Sequence, residues 1–197
     1  MNNDSTKEQC CDCKTEASTY DGVYLSSGST TRFLCSRCYN VSISGAMGLN
    51  FDHLSFHPIT MADRDGDGHT FHFQTHLYGG KVNIRALEIK KDVPKGYEFS
   101  INGEAEDDLF DLFAKLIHRV RRELERKHIE QSDFARYSIT NEDIVRARIT
   151  WDDDTGGQVP CLVVDGKELS WHEFGRMLMT YEGFHFKLEI FEGWEER

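Results

Sequence analysis

Long apolar runs are missing from this chain. No stretch approaches the about 20 consecutive apolar residues that a membrane-spanning helix needs, so the sequence offers no helical span. Proline is scarce, at three in 197 residues, and no low-complexity tract is present, which argues against a disordered protein. Basic charge is in deficit. Lys and Arg number 23 against 34 Asp and Glu, a formal net charge of −11. Such a field repels nucleic acid and anionic membranes. The usual catalytic signatures are absent too: there is no G-x-S-x-G elbow, no phosphate-cradling glycine loop and no H-E-x-x-H. The opening residues, MNNDSTKEQ, contain no apolar h-region of a secretory leader. The expectation is a cytoplasmic protein whose thiols stay reduced.

What the chain does have is cysteine in a pattern. Cys10 and Cys13 form one C-x-x-C pair, Cys35 and Cys38 a second, with 21 residues between them. Two residues between cysteines let one tight turn aim both sulfurs at one ion. Two such turns complete a four-coordinate shell, so the spacing predicts a tetrahedral Zn²⁺ site. Four thiolates leave no open position, which makes the site structural and not catalytic. Cys11 also precedes Cys13, but a single intervening residue makes a poorer knuckle, so Cys10 is the preferred ligand and Cys11 a spare thiol or alternative. Two disulfides are the rival reading, disfavoured in a reducing compartment.

Gly22–Leu25 and Thr31–Leu34 read as short strands around the turn-rich Ser26–Ser29, and the second cysteine pair opens a helix. Knuckle, hairpin and cysteines at a helix start resemble a treble-clef finger; a zinc ribbon is similar. The resemblance covers about residues 8 to 46. It implies metal binding but no activity, since such fingers serve nucleic-acid binding, protein binding and plain structural stapling.

With 39% hydrophobic residues and 12% aromatics, the remainder supports a core. The expected division is a zinc module over residues 1–48 and an α+β domain over 49–197. Residues 51 to 101 read as an antiparallel meander. Phe71, Phe73, Thr75 and Leu77 alternate with polar residues, and Gly79-Gly80 offers a hairpin. Residues 104 to 129 read as a long amphipathic helix, with Leu109, Phe113, Leu116, Ile117, Val120 and Leu124 on one stripe. Opposite lie Lys115, Arg119, Arg122 and Arg126, a basic face read chiefly as solvated. The last third reads as β-hairpin, helix, strand. Asp152-Asp153-Asp154 makes an acidic turn, and Val159–Val164, which contains Cys161 as a core thiol, has the continuous apolarity of a central strand. Ser170 and Glu173 form a capping box, and Phe184, Phe186, Leu188 and Ile190 alternate as a final strand. The stretch from Val164 to Ile190 resembles a segment of uncharacterised bacterial proteins, a likeness that implies no activity.

Two further constellations invite a chemical reading. Asp63-Arg64-Asp65-Gly66-Asp67-Gly68 matches the first half of a D-x-D-x-D-G calcium loop. Its twelfth position is Gln74, which cannot supply the bidentate carboxylate, so the expectation is an acidic turn and not a high-affinity calcium site. Five of nine histidines lie between residues 53 and 76. If residues 53–61 pair with 68–76, one register sets His57 opposite His72 and His53 opposite His76, all on one face. That would make a second metal site or an acid/base cluster. A one-residue slip separates the pairs, and Pro58 suggests an edge.

The reading that follows is a zinc-binding α+β protein, an adaptor or regulatory module with a protein partner. A metal-dependent enzyme using His53, His57, His72 and His76 is the alternative, and nucleic-acid binding the second.

Overall fold

The computed structural model describes residues 7–133, 135–152 and 155–193. Residues 1–6 of the opening segment, and Asp153 and Asp154 of the expected acidic turn, lie outside them. The fold is α+β, with three α-helices and antiparallel sheets among the described residues. Two compact units divide the chain, residues 1–61 with 69–120, and residues 62–68 with 121–197.

The first unit begins with β1 (Lys7–Gln9) and β2 (Glu16–Ser18), a small hairpin that frames the first cysteine pair. A second hairpin follows, β3 (Gly22–Ser27) with β4 (Thr30–Cys35), and then helix α1 (Ser36–Met47). Gly22 is required by close approach. A Cβ there would lie 2.4 Å from the Phe33 ring. Helix α1 stops at Gly48, whose φ of 68° is the left-handed conformation that ends helices.

The four-stranded sheet runs β5 (Ile59–Ala62), β6 (Gly68–Tyr78), β7 (Lys81–Lys90), β8 (Val93–Glu104) in sequence order, the meander expected from the alternation. Phe71 faces Glu88 and Leu77 faces Val82 across β6 and β7. Phe71, Leu77, Val82, Ile84 and Ala86 are fully buried. Helix α2 (Leu109–Leu124) covers one sheet face: Leu112 lies against Gly103, and the Phe113 and Phe73 rings meet edge-on, centroids 4.8 Å apart. It is shorter than the expected 104–129. Glu104 ends β8 instead, and its N–H donates to Asp107 across a turn at 2.8 Å. The basic face is largely engaged within the protein. Arg119 donates to the Ser100 carbonyl, while Arg122 and Arg126 both meet Glu123.

The second unit pairs β9 (Ile129–Gln131) with β10 (Tyr137–Ile139). A three-stranded sheet is ordered β11 (Arg148–Thr150), β12 (Cys161–Val164), β13 (Lys167–Ser170), with β12 central as its apolarity foretold. Helix α3 (Trp171–Leu178) opens on the expected capping box: Ser170 accepts from the Glu173 N–H, and Glu173 accepts from the Ser170 N–H. Ile129, Leu162, Val164, Leu169 and Met177 form the core of this unit. Cys161 is half-buried, its thiol donating to the Leu169 carbonyl. The final strand expected over 184–190 is not formed. The alternation is present, but no strand among the described residues pairs with it, and a strand without a ladder has no reason to persist.

Candidate metal centre

Local geometry brings the four cysteines together. In the first knuckle the Cys10 N–H donates to the Thr15 carbonyl at 2.9 Å and the Lys14 N–H to the Cys10 carbonyl at 3.1 Å, with Lys14 at a φ of 62°. This tight return points Cys10 and Cys13 the same way. Across from it, Cys35 is the N-cap residue of α1 and Cys38 lies in its first turn. Cys11 points elsewhere: its N–H donates to the Phe33 carbonyl and its side chain is exposed. The four sulfurs of Cys10, Cys13, Cys35 and Cys38 all lie within 4.8 Å of one another and could hold a metal ion. All six cysteines are free thiols, so none of the four is spent on a disulfide.

The sulfurs influence one another strongly. Hydrogen bonds from Thr15 hold Cys13 down to about 6. Burial pushes Cys10 up, but the backbone N–H groups of Cys35, Cys13 and Asp12 outweigh it and leave it lowered. Burial raises Cys35. Cys38 is raised by burial and then by the neighbouring sulfurs of Cys13 and Cys35. A thiolate favoured at one corner and disfavoured at the next is the expected result of four sulfurs crowded together.

Beside the sulfur cluster, α1 meets the edge of β6 through a polar seam. Asn40 is fully buried; its amide nitrogen donates to the Thr75 carbonyl at 2.7 Å and its oxygen accepts from the Leu77 N–H at 2.9 Å. These are the backbone groups that a neighbouring strand would otherwise pair. Ser36 donates to Asp21 at 2.8 Å and sits 2.7 Å from His76 Nε2, while the Tyr39 hydroxyl donates to the Leu77 carbonyl. Sequence reasoning missed Asn40, Ser36 and Asp21, because nothing local marks a side chain that substitutes for a strand.

That seam corrects the histidine expectation. Residues 51–58 form no strand, since Asn40 occupies the β6 edge that they would need. His72 faces Leu87 and His76 faces Asn83 in the observed register. His53 Nδ1 lies 2.8 Å from the Asn40 amide nitrogen, His72 Nδ1 3.0 Å from the Tyr20 hydroxyl, and His57 is exposed. Burial lowers His53, and it holds His76 down to about 4 with help from Arg85 and His53. His53, His72 and His76 sit in separate hydrogen bonds. Among the described residues, the four cysteines form the one cluster of three or more potential ligands.

The acidic turn behaves as a turn. Asp63 Oδ1 accepts the N–H groups of Asp65 and Asp67, each at 2.9 Å, and Asp65 pairs with Lys127. A carboxylate that sequence reasoning could not place is Glu88. It is buried between His69 at 2.7 Å, Lys90 at 2.9 Å and the Tyr97 N–H at 2.9 Å. Burial alone would raise it, but these partners win and lower it.

Comparison with known families gives two matches. Residues 52–125 are similar to a domain of unknown function (DUF7686), and residues 128–195 to another (DUF7713). The four cysteines lie outside both segments. No curated protein and no solved structure matches the chain.

Proposed function

We propose that the chain is a zinc-binding protein with a structural four-cysteine finger, acting as an adaptor or regulatory module for a protein partner. The observation that carries the metal is the sulfur geometry. A tetrahedron of Zn–S bonds about 2.3 Å long has sulfur–sulfur edges of about 3.8 Å, and Cys13 and Cys35 are separated by 3.8 Å. Knuckle, hairpin and helix, with Cys35 at the N-cap position of α1, support the treble-clef form over a ribbon. Cys10, Cys13, Cys35 and Cys38 would hold the ion, and Zn²⁺ would supply charge neutralisation and a cross-link, with no position left for substrate. A thiolate shell persists in a reducing compartment, so a cytoplasmic location belongs with this reading. No helix among the described residues is long and apolar enough to cross a membrane.

Protein binding is supported by surface chemistry. The finger exposes Tyr24, Val41 and Met47, while the net charge of −11 disfavours nucleic acid. The enzyme reading loses support because His53, His72 and His76 each serve a separate structural hydrogen bond.

Elemental analysis coupled to native mass spectrometry tests the proposal. One zinc per chain is expected, lost from the quadruple Cys→Ser variant. Freshly reduced protein without zinc, or cysteines found as disulfides, overturns it. A second transition metal retained by that variant favours the enzyme, and salt-dependent binding of DNA or RNA favours the nucleic-acid reading.

A further inference from the structure

The C-terminal segment contradicts ordinary burial. Phe184, Phe186, Leu188 and Ile190 are each more than 70% exposed. They alternate with His185, Lys187 and Glu189, which is the pattern of a strand with one covered face. Yet residues 184–190 carry no regular structure and join neither edge of the β11-β12-β13 sheet. A face of four large apolar side chains in water, on a backbone suited to a ladder, is a strand that lacks its neighbour.

We infer that the neighbour is the same segment of a second copy, paired antiparallel about a two-fold axis through Leu188. Register identifies that neighbour. An antiparallel self-pair must set apolar positions opposite apolar ones, which fixes the axis on a residue and not between two. Centred on Leu188, Phe186 faces the second copy's Ile190, Leu188 faces its counterpart, Lys187 faces Glu189 on both sides of the axis, and Phe184 falls opposite Glu192 at the end of the ladder. Centred on Lys187, the apolar face survives, but two lysines meet at the axis. Opposite charges across a ladder stabilise it and like charges destabilise it, so the Leu188 register is selected. Within one chain Lys187 already meets Glu189, so pairing between copies exchanges that exposed contact for two of the same kind across the ladder. A two-stranded ribbon alone is marginal. This unit also exposes Ile149, Trp151 and Met179, apolar surface that association can cover. Such a contact is isologous, the usual arrangement of a homodimer. It is independent of the zinc reading.

Charge reversal tests it, because the altered side chains are exposed and removing them leaves no buried gap. Analytical ultracentrifugation of the full zinc-loaded chain over a dilution series should show a monomer–dimer equilibrium. Lys187→Glu sets Glu against Glu twice, and Glu189→Lys sets Lys against Lys twice. Each should weaken self-association about tenfold, since two attractive pairs become repulsive. An equimolar mixture of the two variants should recover a heterodimer, because both facing pairs are then opposite in sign across the ladder. That recovery separates pairing between chains from an ion pair within one. A wild-type chain that stays monomeric at every concentration overturns the inference and leaves the segment for a different protein. A dimer indifferent to both reversals, or a mixture no tighter than its components, overturns it as well.

Discussion

Two hairpins in the first unit are built alike and held differently. In the sheet, β6 and β7 bury Phe71, Leu77, Val82, Ile84 and Ala86 completely. In the finger, β3 and β4 leave Tyr24 49% exposed and Leu25 38% exposed. The finger buries Phe33 on β4 and a small cluster of Cys10, Leu34 and Tyr39, one of which is a candidate metal ligand. A cluster so small does not offset the entropy of ordering about 40 residues. The sheet hairpin is stabilised by burial; in the proposed reading the finger is held by a metal cross-link. Substitutions in each hairpin test that contrast.

The largest effect belongs to Cys35→Ser. Structural zinc contributes on the order of 10 kcal/mol to the folding of isolated fingers, so losing one corner should unfold the finger. The sheet has its own core and should persist. Limited proteolysis of the zinc-stripped variant should therefore leave a protected fragment beginning near residue 50. Loss of every protected fragment would show that residues 1–48 and 49–197 fold only together.

The matching change in the sheet is Ile84→Ala. Ile84 is fully buried between Thr75 and Ile101 in the ladder. Truncation removes three carbons and leaves a cavity, a cost of about 2–5 kcal/mol. Urea denaturation of the loaded protein should show that loss while the zinc content stays at one per chain. Loss of zinc together with sheet stability would mean that the two hairpins are a single cooperative structure.

How much of this contrast was readable beforehand depends on range. The finger was legible because its signal is local: C-x-x-C spacing, a turn and a helix start. The meander was legible from the alternation through Phe71–Leu77, and the α3 start from Ser170 and Glu173. The histidine register was not legible. It was decided by Asn40, some 35 residues away, whose amide takes the Thr75 and Leu77 backbone groups. No local pattern announces that substitution. The segment 184–190 misled for a related reason: alternation reports a strand's suitability, and the ladder partner has to come from elsewhere.

Acid probes the seam between α1 and β6. Burial holds His76 down to about 4, against an ordinary value near 6.5. The folded protein therefore binds fewer protons at this site than the unfolded chain does. Stability from this source is full above about pH 6.5 and is lost progressively as the pH falls toward 4, by at most about 3 kcal/mol. His76→Gln keeps a donor near Ser36 and removes the titration. Its stability should fall less steeply across that window than that of the wild type, with zinc release followed in parallel. Equal slopes would show that His76 does not carry the acid sensitivity.

The smallest effect is expected on the finger's surface. The Tyr24 hydroxyl donates to Glu8 at 2.6 Å, and its ring lies 5.2 Å from that of Phe33. Glu8 raises the phenol by that hydrogen bond, yet the pair stands in solvent. Exposed polar pairs contribute little, because water replaces the lost partner. Tyr24→Phe keeps the ring contact and removes the hydrogen bond, so loaded protein should change by no more than about 0.5 kcal/mol. The same substitution distinguishes the two accounts of the finger. If the metal holds it, Tyr24→Phe leaves zinc affinity in a chelator competition unchanged. If surface contacts between β1 and β3 hold it, zinc affinity falls along with stability, and the contrast between a cross-linked hairpin and a packed one fails.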